Sequence, residues 1–199
     1  MSIRTNTNKN KNIRIITKIM KELRKDFFKP DAEKVAKALL GKLLVFGKCS
    51  GIIVETEAYA DDGASHAAKR TKRSIPLFAK HGTTYVYLNY GMYHMLNFTC
   101  DTKGPGGVLI RAVEPEDGIN IMKRRRKTND IYNLCNGPGK LCQAFGINMK
   151  QHDKEIGEVK IFDIGKKVEI EKSPRIGISF AKDLEWRFFI KDNKFVSRG

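Results

Sequence analysis

Gly82-Thr-Thr-Tyr-Val-Tyr-Leu-Asn-Tyr-Gly-Met-Tyr-His-Met-Leu-Asn97 reads as two strands joined by a turn. Alternating β-branched and aromatic residues predict strands over Thr83 to Asn89 and Tyr93 to Thr99, with Asn89-Tyr90-Gly91-Met92 as the turn. Strands closed by so short a connection run antiparallel. Working outward, Leu43 to Phe46, Gly51 to Tyr59 and Val108 to Val113 show the same patterning, and Val159 to Ile170 and Arg187 to Phe195 read again as strands. Between them, Pro30-Asp31-Ala32-Glu33 opens an amphipathic helix of about three turns that carries Val35, Leu39 and Leu40 and stops at Gly41. A second helix is predicted from Pro115 or Glu116 through Lys127, acidic at its start and basic at its end, and a short third follows the Asn136 to Lys140 loop. No βαβ alternation appears, so the expected fold class is α+β: a single domain with a curved antiparallel sheet, surrounding helices and a protruding β-hairpin.

The 199 residues suit one domain, read as 26–199, preceded by a basic, flexible tail over 1–25 that runs into a helical segment. Lys plus Arg number 38 against 22 Asp plus Glu, a net charge of +16, and such an excess favours a polyanionic partner, above all nucleic acid. No apolar run approaches the ~20 residues of a membrane span. Cys49, Cys100, Cys135 and Cys142 form no Cys-x-x-Cys pair, which argues against structural zinc and for reduced thiols in a cytoplasmic protein.

On a strand, Glu55, Glu57 and Tyr59 share one face, with Val54, Thr56 and Ala58 on the other. An isolated Glu-x-Glu usually faces solvent. Burying two carboxylates at i and i+2 requires cations or hydrogen bonds to compensate. The tyrosines of the hairpin could sandwich a planar ring, and Tyr90, placed at the turn, needs something to insert into or against. Lys69-Arg-Thr-Lys-Arg73 adds cations. Carboxylates, aromatic faces, a projecting tyrosine and a cationic surface are together what an enzyme needs to act on a base taken out of a duplex. Neither a phosphate loop nor a dinucleotide fingerprint is present, and no cofactor or metal is expected.

Several ordered motifs resemble the alkyladenine family of 3-methyladenine DNA glycosylases: Val54-Glu-Thr-Glu-Ala-Tyr59, His66, Tyr85-Val-Tyr-Leu-Asn-Tyr-Gly-Met-Tyr93 with Asn97, Val108-Leu-Ile-Arg-Ala-Val-Glu-Pro115, Gly137-Pro-Gly-Lys-Leu-Cys142 and Arg175-Ile-Gly-Ile178. The resemblance runs from about Phe27 to the end. It implies that Glu57 is the general base that deprotonates water for attack on the deoxyribose C1′. Arg111 and the main-chain carbonyl of Ile176 would help hold that water. Tyr59 and Tyr87 would cover the two faces of the base and His66 its edge, with Asn97 and Leu109 shaping the pocket floor. Tyr90 would be the wedge that replaces the extruded nucleotide. The implied activity is a monofunctional, metal-independent hydrolase that releases alkylated purines (3-methyladenine type, with hypoxanthine and etheno-adenine as further candidates) and leaves an abasic site. Its partner would be double-stranded DNA containing alkylated or deaminated purines, met as a monomer in the cytoplasm at the nucleoid.

Two other classes stay open on the residues alone. A basic nucleic-acid-binding module would account for the charge and the tyrosines but not for Glu55 and Glu57. A metal-dependent nuclease would need an acidic cluster free to hold Mg²⁺.

Overall fold

The chain is represented by a computed structural model that describes residues 20–62, 71, 74–79, 81–101 and 104–198. Among these residues ten strands are found: β1 (Lys21–Glu22), β2 (Leu43–Phe46), β3 (Cys49–Tyr59), β4 (Thr83–Asn89), β5 (Tyr93–Asp101), β6 (Pro105–Asp117), β7 (Lys154–Glu155), β8 (Lys160–Asp163), β9 (Ile170–Ser173) and β10 (Arg187–Ile190). Four α-helices accompany them: α1 (Ala32–Leu39), α2 (Ile75–Ala79), α3 (Ile119–Arg126) and α4 (Pro138–Phe145). The strands form one curled antiparallel sheet in the order β1-β8-β2-β3-β6-β5-β4-β7. The α+β class expected from the patterning is the one observed.

β3 organises the sheet. Its first half pairs with β2, its second half pairs with β10 along the same edge, and β6 runs along its other edge. Register shifts between Ile53 and Glu55, and again between Glu55 and Thr56, break strict alternation. Val54 consequently leaves the face assigned to it and joins Ile52 and Ala112 in a small apolar cluster, apart from Ile53 and Ala58 in the main core. Behind β3 lies α1, capped where Asp31 accepts the Lys34 N–H at 2.9 Å. Val35, Ala36 and Leu39 are buried, and the Thr56 hydroxyl donates to the Ala36 carbonyl at 3.0 Å, which ties helix to strand. Phe28, Leu44, Phe98, Ile110, Met122 and Phe145 complete the main core. The four thiols are buried there, and burial pushes them up, away from thiolate chemistry.

Several expectations change. Lys21–Glu22, read as tail, is an edge strand paired with β8, while residues 1–19 lie outside the described residues. β6 continues through the acids read as a helix start, because Pro115 pairs with Gly51 at an irregularity where a missing N–H is tolerated, and Ser50 bonds Asp117. The helix begins only after Gly118, and two of its terminal arginines hold backbone. Arg125 donates to the carbonyls of Ala144 and Phe145, and Arg126 to that of Leu134. The strand read over Val159 to Ile170 is two short strands, broken near Gly165 at φ +69°. The last strand stops at Ile190 rather than Phe195. α1 spans eight residues, nearer two turns than three.

Gly118 sits at φ +78°, and a Cβ there would strike the Lys48 carbonyl and lie 2.9 Å from Cys49 Sγ. Gly118→Ala is therefore expected to destabilise the protein by about 2–4 kcal/mol, through a disfavoured dihedral and overpacking together. An unchanged midpoint in urea unfolding would refute this.

Candidate active site

The sheet register brings the site together. Across four strands and β10 runs one row, in which Arg187 pairs with Glu57, Glu57 with Leu109, Leu109 with Asn97 and Asn97 with Tyr85. Paired residues of an antiparallel sheet share a face, so five distant sequence positions converge on one side. Over them opens a cavity of about 220 Å³ lined by Tyr59, Tyr87, Tyr90, Asn97, Leu109, Arg111 and Ile176 among others. Seven of the nine residues singled out in the sequence thus share one wall. Glu57 stands directly behind that wall, and His66 lies outside the described residues.

Glu55 and Glu57 are both 0% exposed, which rules out the solvent-facing reading of the Glu-x-Glu pair. Each carboxylate is compensated. Glu57 Oε1 accepts the Ile176 N–H at 2.7 Å, and its Oε2 accepts the Tyr59 hydroxyl at 2.8 Å and Arg111 Nη1 at 3.1 Å. A carboxylate offers about four acceptor positions, and among the described residues no donor takes the second position on Oε1. All three donors belong to residues that line the cavity.

The electrostatics follow from burial. Burial first, then the neighbouring Glu57 charge, push the Tyr59 hydroxyl well above its ordinary range, so it stays a donor to Glu57. For Arg111 burial opposes the charge, but Glu57 and Glu55 outweigh it and hold the guanidinium protonated. Glu55 accepts Arg111 Nε at 3.1 Å, Arg187 Nε at 2.7 Å and both donors of Ser197. With two arginines on the acid pair, a divalent cation is a poor fit, and no cluster of three His, Cys, Asp or Glu occurs among the described residues.

Tyr85 and Tyr87 pack with ring centroids 5.5 Å apart, and Asn97 Nδ2 donates to the carbonyls of Tyr85 and Met95 at 3.1 and 3.3 Å. At the hairpin tip Tyr90 and Gly91 both have positive φ, +51° and +69°, and the Met92 N–H closes the turn on the Asn89 carbonyl at 3.1 Å. These are the features of a type I′ turn. Tyr90 is 79% exposed, the most exposed large apolar side chain described.

One supporting residue had no role in the sequence reading. Arg175 is buried with its guanidinium 4.8 Å from the Tyr59 ring centre and 5.3 Å from that of Trp186, paired to Asp62 at 2.6 Å and bonded to the Ala58 carbonyl. It braces Tyr59 from behind and carries Ile176 to Glu57. Its one signal in the sequence is its place ahead of Ile176 in Arg175-Ile-Gly-Ile178.

A ring-sized aromatic cavity backed by a hydrogen-bonded carboxylate, next to an exposed tyrosine turn on a chain of charge +16, defines an enzyme that works on the bases of DNA. Comparison with known proteins narrows the class. Residues 26–194 match the methylpurine-DNA glycosylase (MPG) family. Relatives assigned as 3-methyladenine DNA glycosylases include one of Prosthecochloris aestuarii, 44% identical over 187 residues (87% of this chain and 90% of the relative). One of Clostridium perfringens strain 13 is 45% identical over 202 residues, covering 88% and 98%, and one of Agrobacterium fabrum is 44% identical over 182 residues, covering 89% and 93%. The chain belongs to the methylpurine-DNA glycosylase family, and as a DNA glycosylase it is a hydrolase of N-glycosyl bonds whose substrate is DNA. No helix among the described residues is long and apolar enough to cross a membrane.

Proposed function

We propose that this glycosylase extrudes alkylated purines, 3-methyladenine first, from duplex DNA and hydrolyses their glycosidic bond with Glu57 as general base. The observation that carries the reading is the buried Glu57 carboxylate, held among the described residues by three donors of the cavity wall with one acceptor position left. An alkylated purine bears positive charge, so the bond between its nitrogen and C1′ breaks with the electron pair going to the base. Water then bonds to C1′ and passes its proton to Glu57, which leaves a neutral free base and an abasic sugar. Arg111 and the Ile176 carbonyl orient that water. Tyr59 and Tyr87 clasp the base, His66 meets its edge, Asn97 and Leu109 form the floor, and Tyr90 fills the gap in the stack.

The same pocket extends the range to hypoxanthine and etheno-adenine; these purines are neutral, so the electron pair that goes to the base is matched by a proton delivered to it by a general acid. The protein acts as a cytoplasmic, nucleoid-associated monomer without metal or lyase chemistry. The test is to incubate methylated duplex DNA with the protein in excess chelator and to separate free bases by chromatography. Free 3-methyladenine, with strands that break only after alkali, is expected. Breaks before alkali would mean a lyase, and loss of activity in chelator a metal enzyme. DNA binding with no base released would leave the binding-module reading.

A further inference from the structure

Glu55 is as deeply buried as Glu57, and none of the steps above uses it. Its oxygens take four donors: Arg111 Nε, Arg187 Nε and Ser197 Oγ on Oε1, and the Ser197 N–H at 2.7 Å on Oε2. Arg111 is a bridge, with Nε on Glu55 and Nη1 on Glu57, each at 3.1 Å. Arg187 reaches Glu55 alone, although β10 places it opposite Glu57 in the register. Arg187 has other anchors as well, the Ser173 hydroxyl and the Ser197 carbonyl, each 3.1 Å away, so neutralising Glu55 would not release it.

The cluster therefore contains two carboxylates and two guanidiniums in surroundings that screen charge poorly. Among the described residues, the other groups against Glu57 are the neutral Tyr59 hydroxyl, the Ile176 N–H and Leu109, with Tyr87 lining the same cavity and Arg175 stacked on the Tyr59 ring and already paired to Asp62. We propose that Glu55 is a positioning residue: it fixes the angle of Arg111 and, by balancing Arg187, prevents the arginine pair from quenching the basicity of Glu57. The inference rests on the reading of Glu57 as general base. With Glu55 neutral, the cluster carries one excess positive charge beside Glu57. The carboxylate becomes harder to protonate, and a general base that holds protons more weakly takes one from water less effectively.

The test is single-turnover base release from methylated duplex DNA across pH, with DNA affinity measured in parallel. A general base works once deprotonated, so the rate rises with pH along an acid limb. In Glu55→Gln the plateau rate is expected to fall about tenfold and the acid limb to move to lower pH by about one unit, with unchanged affinity. Adding Arg187→Gln restores the charge count and should bring the limb back and recover about threefold or more in rate. A residue that only props up the fold would instead make the double variant worse than the single. Should Glu55→Gln fail to fold, Arg187→Gln alone must move the limb the opposite way, to higher pH. A limb that stays put in Glu55→Gln, or in Arg187→Gln, would overturn the inference. If Glu57→Gln keeps full activity, the base assignment itself fails. If Glu57→Gln is inactive while both limbs stay put, only the role of Glu55 falls.

Discussion

Glu57→Gln is expected to slow base release by about 10³-fold, within the 10²–10⁴ that a positioned general base supplies, while duplex affinity stays within a few-fold of the parent. The substitution keeps the shape of the side chain and removes only its capacity to take a proton. Affinity should survive because Glu57 is fully buried and stands behind the cavity wall, away from the phosphates. Some stability is lost for a specific reason. Ile176 N–H and Arg111 Nη1 donate to opposite oxygens of Glu57, and a glutamine has only one carbonyl oxygen to offer, so one of the two must face an NH₂ group. The Tyr59 hydroxyl can turn, but the main-chain N–H cannot. One frustrated buried hydrogen bond costs about 1–3 kcal/mol, which the fold should tolerate. Single-turnover kinetics, a binding titration and a urea melt on one preparation separate the effects. Parallel loss of binding and activity would make Glu57 a structural residue.

The contrast between Glu57 and Glu55 shows how far the sequence could be read. Period-two patterning located β2 and β4 residue for residue, and it put Glu55, Glu57 and Tyr59 on one side of a strand. Periodicity says nothing of partners. The residues that make two buried carboxylates tolerable are Arg111, 56 positions on from Glu55, and Arg187 and Ser197, 132 and 142 positions on. Only the sheet register brings them there. The errors have equally local causes. Glu114, Glu116 and Asp117 resemble the acidic first turn of a helix, yet pairing with β3 keeps them extended until Gly118 supplies the positive φ that turns the chain. α2, five residues of Ile-Pro-Leu-Phe-Ala, is too short for a helical period to show. The last 25 residues contribute Arg175, Ile176, Arg187 and Ser197 to the site through a strand pairing, two guanidiniums and main-chain N–H groups, none of which hydropathy registers.

The second large effect is expected at Tyr90, where stability and function should move in opposite directions. Tyr90 holds φ at +51°, a region that costs a non-glycine residue of order 1 kcal/mol or more, and with 79% of its surface exposed it receives little packing in return. A turn requiring positive φ at two successive residues would be satisfied by Gly-Gly. Strain kept at an exposed tip points to a task for the ring outside the protein. Tyr90→Gly should leave the protein as stable or more stable by about 0.5–1 kcal/mol, since relief of strain is offset in part by the freer unfolded chain. With Tyr90 in the proposed wedge role, removing the ring leaves the gap in the stack unfilled, an expected loss of about 2–3 kcal/mol, or roughly 30- to 150-fold in single-turnover release below saturation. The comparison that isolates the wedge uses the same lesion in a single strand, where there is no stack to fill. There the deficit should shrink to about threefold or less. A variant equally slow on both substrates would place Tyr90 among the residues that hold the base itself, consistent with its position at the cavity wall. A variant as fast as the parent on duplex would remove the wedge from the mechanism and leave the strained turn without a purpose.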